Sequence, residues 1–337
     1  MKFLTPCAAT SFVVMAAVLP GCKSGLPKVE DAPTRAKAAP PRLTEALGHI
    51  STAEEAVRLG DKERALIEFQ RAIEVNPNLS TAYMGMADIY RMDRDYPNAE
   101  LRYAQAARVE PKNFDAQFYH GLMLHLMERV TEAVQAYLRA LAVKPDDFRT
   151  NLNLATAYYQ LEENRQALPY AKKAVDLNGD DGSARLNLGA IYAALGRHQE
   201  AVKEYQQAAE LMDLNGPLLL NLAESLASLS RFDEMANALE QAAKVDPSAA
   251  VYERLGFARF RVKDYEAAKS NFQKSLDIDT NYFPALNGLG VCLLNDWITG
   301  DRKDQGIKDR GISCLRRSLQ IESDQPQINE IVTRYGR

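Results

Sequence analysis

Charge of one sign, histidine, cysteine and tryptophan are all in short supply in this sequence, and each shortage excludes something. The 41 Lys and Arg side chains nearly balance 45 Asp and Glu, leaving a formal charge of -4. Both signs are interspersed, so no basic stripe exists to neutralise a phosphate backbone, and nucleic acid is not an expected partner. Four His and four Cys leave little material for a metal centre or a nucleophile–base pair. HExxH, GxSxG and a glycine-rich phosphate loop are missing. Beyond the first 21 residues no long uninterrupted apolar run occurs, which excludes a multi-span helical membrane protein. What remains is ordinary for a folded chain: 46% hydrophobic and 26% charged residues over 337 positions, enough for one large or two average domains. Tyrosine, with 15 copies, outnumbers the 11 Phe and single Trp together.

The chain opens with MKFLTPCAATSFVVMAAVLPGC. One cation, Lys2, precedes an uncharged stretch to Gly21, a length that fits a secretory signal better than a spanning helix with basic flanks. Leu19-Pro20-Gly21-Cys22 resembles the end of a bacterial lipoprotein signal, cleaved before a lipid-modified cysteine. Leu19 and Gly21 match that pattern, and Pro20 stands where a small or aliphatic residue is usual. The resemblance implies a signal peptide over 1–21 and a lipidated Cys22; a plain signal or an uncleaved anchor is the alternative. Each buried acyl methylene adds about 0.8 kcal/mol of membrane affinity, so several chains anchor durably. Lys23 occupies the place of an acidic inner-membrane retention signal, so the implied location is a bacterial cell envelope, at an outer membrane and facing the periplasm. Residues 22–42, rich in Pro, Ala, Lys and Arg and without hydrophobic period, read as a disordered tether with a reach of about 25 Å or more.

From Leu43 the chain repeats itself. Ala87, Gly121, Ala155, Gly189 and Ala223 follow one another at 34-residue intervals, then Gly256 after 33 and Gly290 after 34. Twelve residues beyond these lie Ala99, Ala133, Ala167, Ala201, Met235 and Ala268. Bulky Tyr103, Tyr137, Tyr205 and Phe272 follow, then Ala106, Ala140, Ala174, Ala208 and Ala242, and a break at Pro111, Pro145 and Pro247. Apolar residues at three- and four-residue intervals predict two amphipathic helices per unit, joined by short polar turns such as LEENR and LGRHQ. One hairpin cannot bury its apolar face alone, so neighbours must stack.

This pattern resembles the tetratricopeptide repeat over roughly 290 of the 337 residues. The resemblance implies an all-α, right-handed superhelical solenoid of about eight hairpins over residues 43–337. The units are expected at 46–79, 80–113, 114–147, 148–181, 182–215, 216–248, 249–282 and 283–325, with a capping helix at 326–337. The last unit is stretched by about nine residues, expected between its helices at 295–306 and carrying the lone Trp297. That stretch reads either as a partner-specific knob or as a long loop covering the Trp. The family's first helices line a concave groove that contacts peptides. Asn153, Asn187 and Asn221 each stand two places before the small residue, which puts three amides in a row down that groove. They read as a ladder for a partner's backbone or as family consensus amides, partly solvated. By the same register Tyr119, Arg149, Tyr159, Glu224, Arg254 and Phe257 should line the groove and tune selectivity.

Other chemistry is thin. His120 replaces a common Leu and reads as an interhelix residue; His125 faces the groove, and His198 sits in a turn. The run DLNGDDG (176–182) superficially resembles a calcium loop, but Asp181 stands where the sharp turn needs Gly and Asn187 where Glu should close it. Cys292 and Cys314, in opposite helices of the last hairpin, can bridge in an exported protein or remain buried single thiols. No cofactor, metal or small-molecule substrate is implied. The expected function is a non-catalytic envelope scaffold holding a protein or peptide partner in its groove; the alternative is a self-associating structural solenoid of a pilus, polysaccharide-export or cell-wall assembly, its groove idle. Growth with a fatty-acid probe is expected to label the chain, and Cys22→Ser to abolish both the label and sedimentation with membranes. A wild-type chain that stays unlabelled in a host with lipoprotein processing contradicts the anchor.

Overall fold

A computed structural model describes residues 41–336. The expected signal peptide and Cys22, with most of the tether, lie outside the described residues. Seventeen helices, and no strand, make up the described chain. They pair in order: α1 (Pro41–Arg58) with α2 (Lys62–Val75), α3 (Ser80–Met92) with α4 (Tyr96–Val109), α5 (Phe114–Leu126) with α6 (Val130–Val143), and α7 (Phe148–Gln160) with α8 (Asn164–Leu177). Then follow α9 (Gly182–Ala194) with α10 (His198–Leu211), α11 (Gly216–Ser228) with α12 (Phe232–Val245), α13 (Ala249–Arg261) with α14 (Tyr265–Ile278), and α15 (Phe283–Thr299) with α16 (Gln305–Ile321). A single helix, α17 (Pro326–Tyr335), closes the array.

Local chemistry sets the helix ends. Asn113, Asp147, Asp181 and Asn215 each close one unit, and each side chain accepts a hydrogen bond from the backbone N–H three residues on, capping the next first helix. The acidic run around Asp181 is therefore a junction between hairpins, and its carboxylate is occupied as a cap. Prolines 77, 111, 145 and 247 follow directly after the C-caps of α2, α4, α6 and α12, where a residue without N–H cannot continue the helix. Inside each of the first seven hairpins the turn passes through one left-handed residue. Gly60 and Gly196 supply it without steric cost, while Arg94, Glu128, Glu162, Ser230 and Lys263 adopt it at φ of 59–66°. Three second helices begin with Arg129, Arg197 and Arg231 instead of a capping acid. Each guanidinium pairs with a Glu three residues on, and that Glu also lies favourably in the helix's first turn.

Packing within a hairpin depends on the small column. A methyl group added at Gly189 would lie 2.6 Å from the Tyr205 ring, and one at Gly121 would lie 2.8 Å from Tyr137. The rings of Tyr103, Tyr137 and Tyr205 are buried, at 0–1% exposure, in the space so created. Between hairpins each second helix packs on the next first helix, and one apolar cluster runs unbroken from Ala155 to Ala258. The first helices also touch one another, as in α1 with α3, α5 with α7, α7 with α9, α9 with α11 and α13 with α15. In a curved stack the elements that crowd together lie on the inner side, so the first helices line the concave face of a right-handed superhelical solenoid.

The last hairpin departs from expectation. The excess residues do not form a long loop: α15 and α16 each run to 17 residues, against 13 and 14 in the hairpin before. Trp297 therefore stands on α15. Its ring meets Tyr335 of α17 edge-on at 6.2 Å, flanked by Arg302 and Lys308 at 5.6 and 5.4 Å. Ile328, Ile331, Val332 and Tyr335 of α17 cover Leu294, Ile312 and Leu315, ending the core. Trp297 thus joins the closing layer and is neither a projecting knob nor a loop-covered side chain. Cys292 and Cys314 are free thiols, and burial pushes the Cys292 thiol up to about 12. A thiol so hard to ionise is a poor nucleophile.

Two glycine substitutions separate packing from helix propensity. Gly48→Ala, on an exposed stretch of α1 with nothing within 4 Å, should raise the urea midpoint, consistent with about 1 kcal/mol of propensity. Gly189→Ala gains the same propensity but overpacks Tyr205, a cost of about 1–3 kcal/mol, and should lower the midpoint. Equal midpoint shifts in the two variants would remove the small-column argument.

Candidate functional site

The position two residues before the small column faces the groove in every unit from the second onward. Along the stack it reads Gly85, Tyr119, Asn153, Asn187, Asn221, Arg254 and Gly288. The side chain there decides whether each stretch of groove is closed, polar or open.

Near the N-terminal end the groove satisfies itself. The Tyr103 hydroxyl donates to Asp88 Oδ1 at 2.6 Å and accepts from Arg91 Nε at 2.9 Å, while Arg91 Nη2 donates to Asp88 at 3.0 Å. Tyr119 stacks on Tyr103 at 5.3 Å beneath the Arg91 guanidinium. Tyr119, half-buried, is thus engaged in internal packing at the place where a groove contact was expected. One unit earlier Gly85 opens a cavity of about 380 Å³ over the Phe69 ring, walled by Val57, Met84 and Met92. A methyl group at Gly85 would overlap that ring.

The middle of the groove carries the amides. Arg149 is exposed, its guanidinium 4.7 Å above the Phe118 ring. Asn153 and Asn221 are half-buried, and neither side chain hydrogen-bonds to another described residue. Asn187 differs: its Nδ2 donates to Thr156 Oγ1 at 2.6 Å, and Thr156 donates onward to the Leu152 carbonyl. That chain fixes the amide's orientation and leaves Asn187 Oδ1 buried without a partner. The expected row of three amides therefore holds two without such bonds around one that is tied into the wall. Between α7, α9 and α11 lies a cavity of about 220 Å³. Its floor is Ala190, Ala193 and Ala194, and its sides bring together Tyr159, Asn221 and Glu224 with His198 and Tyr205. Burial, reinforced by Tyr159 and Glu224, raises the Tyr205 phenol and keeps it protonated. His198 Nδ1 is buried there without a partner.

Toward the C-terminal end the groove turns apolar. Glu253, Phe257, Phe260, Arg261, Phe272 and Gly288 are among the residues around a cavity of about 360 Å³. Phe257 meets Phe232 edge-on at 6.2 Å, and Arg254 is exposed beside the cavity without lining it. Glu253, Phe260, Arg261 and His198 were not among the residues expected from sequence. The legible signal was Gly85 and Gly288 standing in the asparagine column, where loss of a side chain opens space. The remaining histidines are links between helices: His49 to Glu68 at 2.6 Å, His120 to Glu100 at 3.0 Å and His125 to Gln160 at 2.8 Å. Among the described residues no group of three or more His, Cys, Asp or Glu is placed to hold a metal ion.

Family models of the tetratricopeptide repeat match residues 51–106, 152–213 and 249–282, and a TPR repeat model matches 121–162; together they span more than half the chain. No curated protein matches the sequence. Among solved structures, the C-terminal part of a TPR repeat-containing protein from Cytophaga hutchinsonii aligns with a TM-score of 0.57 at 16% identity, covering 71% of this chain and 99% of that one. YrrB, described as a TPR protein with an unusual peptide-binding site, aligns at 0.51 and 18% identity over 59% of this chain and 99% of its own. PilF of Pseudomonas aeruginosa aligns at 0.50 and 21% identity, covering 66% and 99%. At these identities the likeness concerns the fold.

Glu253 makes the groove's electrostatics testable. Burial pushes its carboxyl above the ordinary glutamate value of 4.5, with Arg254 opposing. The folded chain then holds this proton more tightly than the unfolded chain. The group's contribution to stability is therefore fully present below the ordinary glutamate range and is lost as pH rises through the raised folded value. Glu253→Gln should raise the urea midpoint at neutral pH and remove that segment of the stability–pH curve. A variant curve parallel to wild type at all pH values would contradict the assignment.

Proposed function

Because the chain belongs to the tetratricopeptide repeat family, we propose that it is a non-catalytic scaffold that holds an extended segment of a partner protein along its first helices, tethered to an envelope membrane through Cys22. The observation that carries this reading is the pair of uncommitted amides, Asn153 and Asn221, on either side of the wall-bound Asn187. An extended segment presents an N–H and a C=O at each residue, and both must be satisfied once water is excluded. An Asn amide offers a donor and an acceptor at once, so it serves such a backbone whatever the side chains. The small floor of Ala190, Ala193 and Ala194 lets that backbone approach, and Tyr159 and Glu224 flank it where side chains would be read. Support for the tether is the signal-like N-terminus and the charge-mixed stretch that follows it.

A photo-crosslinking amino acid at position 153 or 221, in the full chain in native membranes, should capture a partner. The same label at Gln206, exposed on a second helix, should not. Asn153→Ala with Asn221→Ala is expected to reduce recovery of that partner about tenfold, a loss of about 1–1.5 kcal/mol, with helical circular dichroism unchanged. Asn187→Ala should instead lower stability, because Thr156 loses its donor. Crosslinks arising from position 206 and not from 153 or 221 would overturn the groove reading in favour of the convex face.

A further inference from the structure

The cavity beside Gly288 has a composition that selects its ligand. Its walls are the rings of Phe257, Phe260 and Phe272 with Pro284 and Val291, and its floor is open because position 288 has no side chain. A methyl group there would overlap the Phe272 ring. Two oxygen acceptors and one cation, Arg261, interrupt this apolar lining. One is Glu253, half-buried, whose carboxylate forms no hydrogen bond or ion pair with any described residue. The other is Asn287 Oδ1, buried and without a partner. The orientation of that amide is set from outside the cavity. Asn287 Nδ2 donates to Gln325 Oε1 at 2.6 Å, while Gln325 Nε2 donates to Ser318 Oγ at 2.9 Å and to the Glu322 carbonyl at 2.7 Å. Gln325 can therefore only accept from Asn287, and the Asn287 oxygen is the atom left over.

Arg261 lines the cavity, yet no hydrogen bond or ion pair joins it to either oxygen. Arg261 lies over the Phe232 ring at 4.0 Å and near Phe257 at 5.6 Å, and Arg254 is exposed to solvent. A pocket with aromatic walls and two acceptors to which no donor is bonded suits a ligand with an apolar stem ending in a cation. The stem removes ring surface from water, the ring faces attract the charge, and the head donates to both oxygens. We propose that this cavity is the subsite for a lysine or arginine side chain of the partner segment, an inference that rests on the groove reading above. The raised carboxyl of Glu253 agrees with it: the group is desolvated, and an incoming cation would supply the missing partner. The equivalent opening at Gly85, walled by Val57, Met84 and Met92, has two acids at its rim. Asp88 is already bonded to Tyr103 and Arg91, and Glu54 is exposed to solvent where Glu253 is half-buried. The basic side chain is therefore assigned to the C-terminal pocket alone.

The test uses n-butylammonium as the lysine mimic, n-butylguanidinium as the arginine mimic and 1-butanol as the neutral counterpart, titrated into the full chain. The Gly288 backbone amide and the Asn287 side-chain amide are followed by NMR. At least one cation should shift both signals saturably and more tightly than 1-butanol. Glu253→Gln should weaken the cation about tenfold while leaving 1-butanol unchanged. Cations that bind no better than 1-butanol, or equally well to Glu253→Gln, overturn the inference. If they do so while positions 153 and 221 still crosslink a partner, only the pocket assignment fails. If the cation binds but those positions capture nothing, the groove reading fails and the pocket loses its role as a partner subsite.

Discussion

The rest of the structure depends on how closely the two helices of a hairpin approach at the column of small residues. Where Gly121, Gly189 and Gly256 face Tyr137, Tyr205 and Phe272, the ring occupies the volume that a side chain would take. The helix cost of glycine, about 1 kcal/mol, is offset by burying a large aromatic surface in that space. Because a small residue recurs at this position from the second hairpin to the eighth, successive units stack in the same way and the array curves. A concave face made of first helices is the geometric consequence.

That concave face is uniform in backbone and varied in side chains. The column two residues before the small position is tyrosine at 119, asparagine at 153, 187 and 221, arginine at 254 and glycine at 85 and 288. The first of these closes the groove by stacking, the amides make it polar, and the glycines open pockets onto phenyl rings belonging to the preceding hairpin. A single backbone register thus yields three chemical environments along one surface. An extended partner segment that follows the groove would meet a backbone-reading stretch and then a side-chain-reading pocket.

Most of the fold was legible because a repeat makes the same statement many times. A lone pair of Gly189 and Tyr205 means little; seven copies at 33 or 34 residues admit one explanation. The site was legible only in part. Register alone determines which way Tyr159, Asn221 and Glu224 face, and the fold brings the three around one cavity. Register does not disclose the internal contacts of Tyr119 and Asn187, which depend on Tyr103 and on Thr156, partners in neighbouring helices that no spacing rule links to them. The same holds for the last hairpin, where most of the extra residues lengthened both helices and only a short turn was left between them.

The sequence by itself determined the helices, their pairing, the direction of the groove-facing column and the absence of recognisable catalytic motifs. Those follow from periodicity, capping residues and prolines, which act through neighbours close in the chain. Only the tertiary structure decided which groove groups remain uncommitted. Whether Asn287 has a spare oxygen depends on Gln325, 38 residues away, and whether Glu253 is desolvated depends on rings from α13 and α14. Hydrogen-bond saturation and burial are properties of the packed solenoid, and they distinguish a binding surface from a merely polar one.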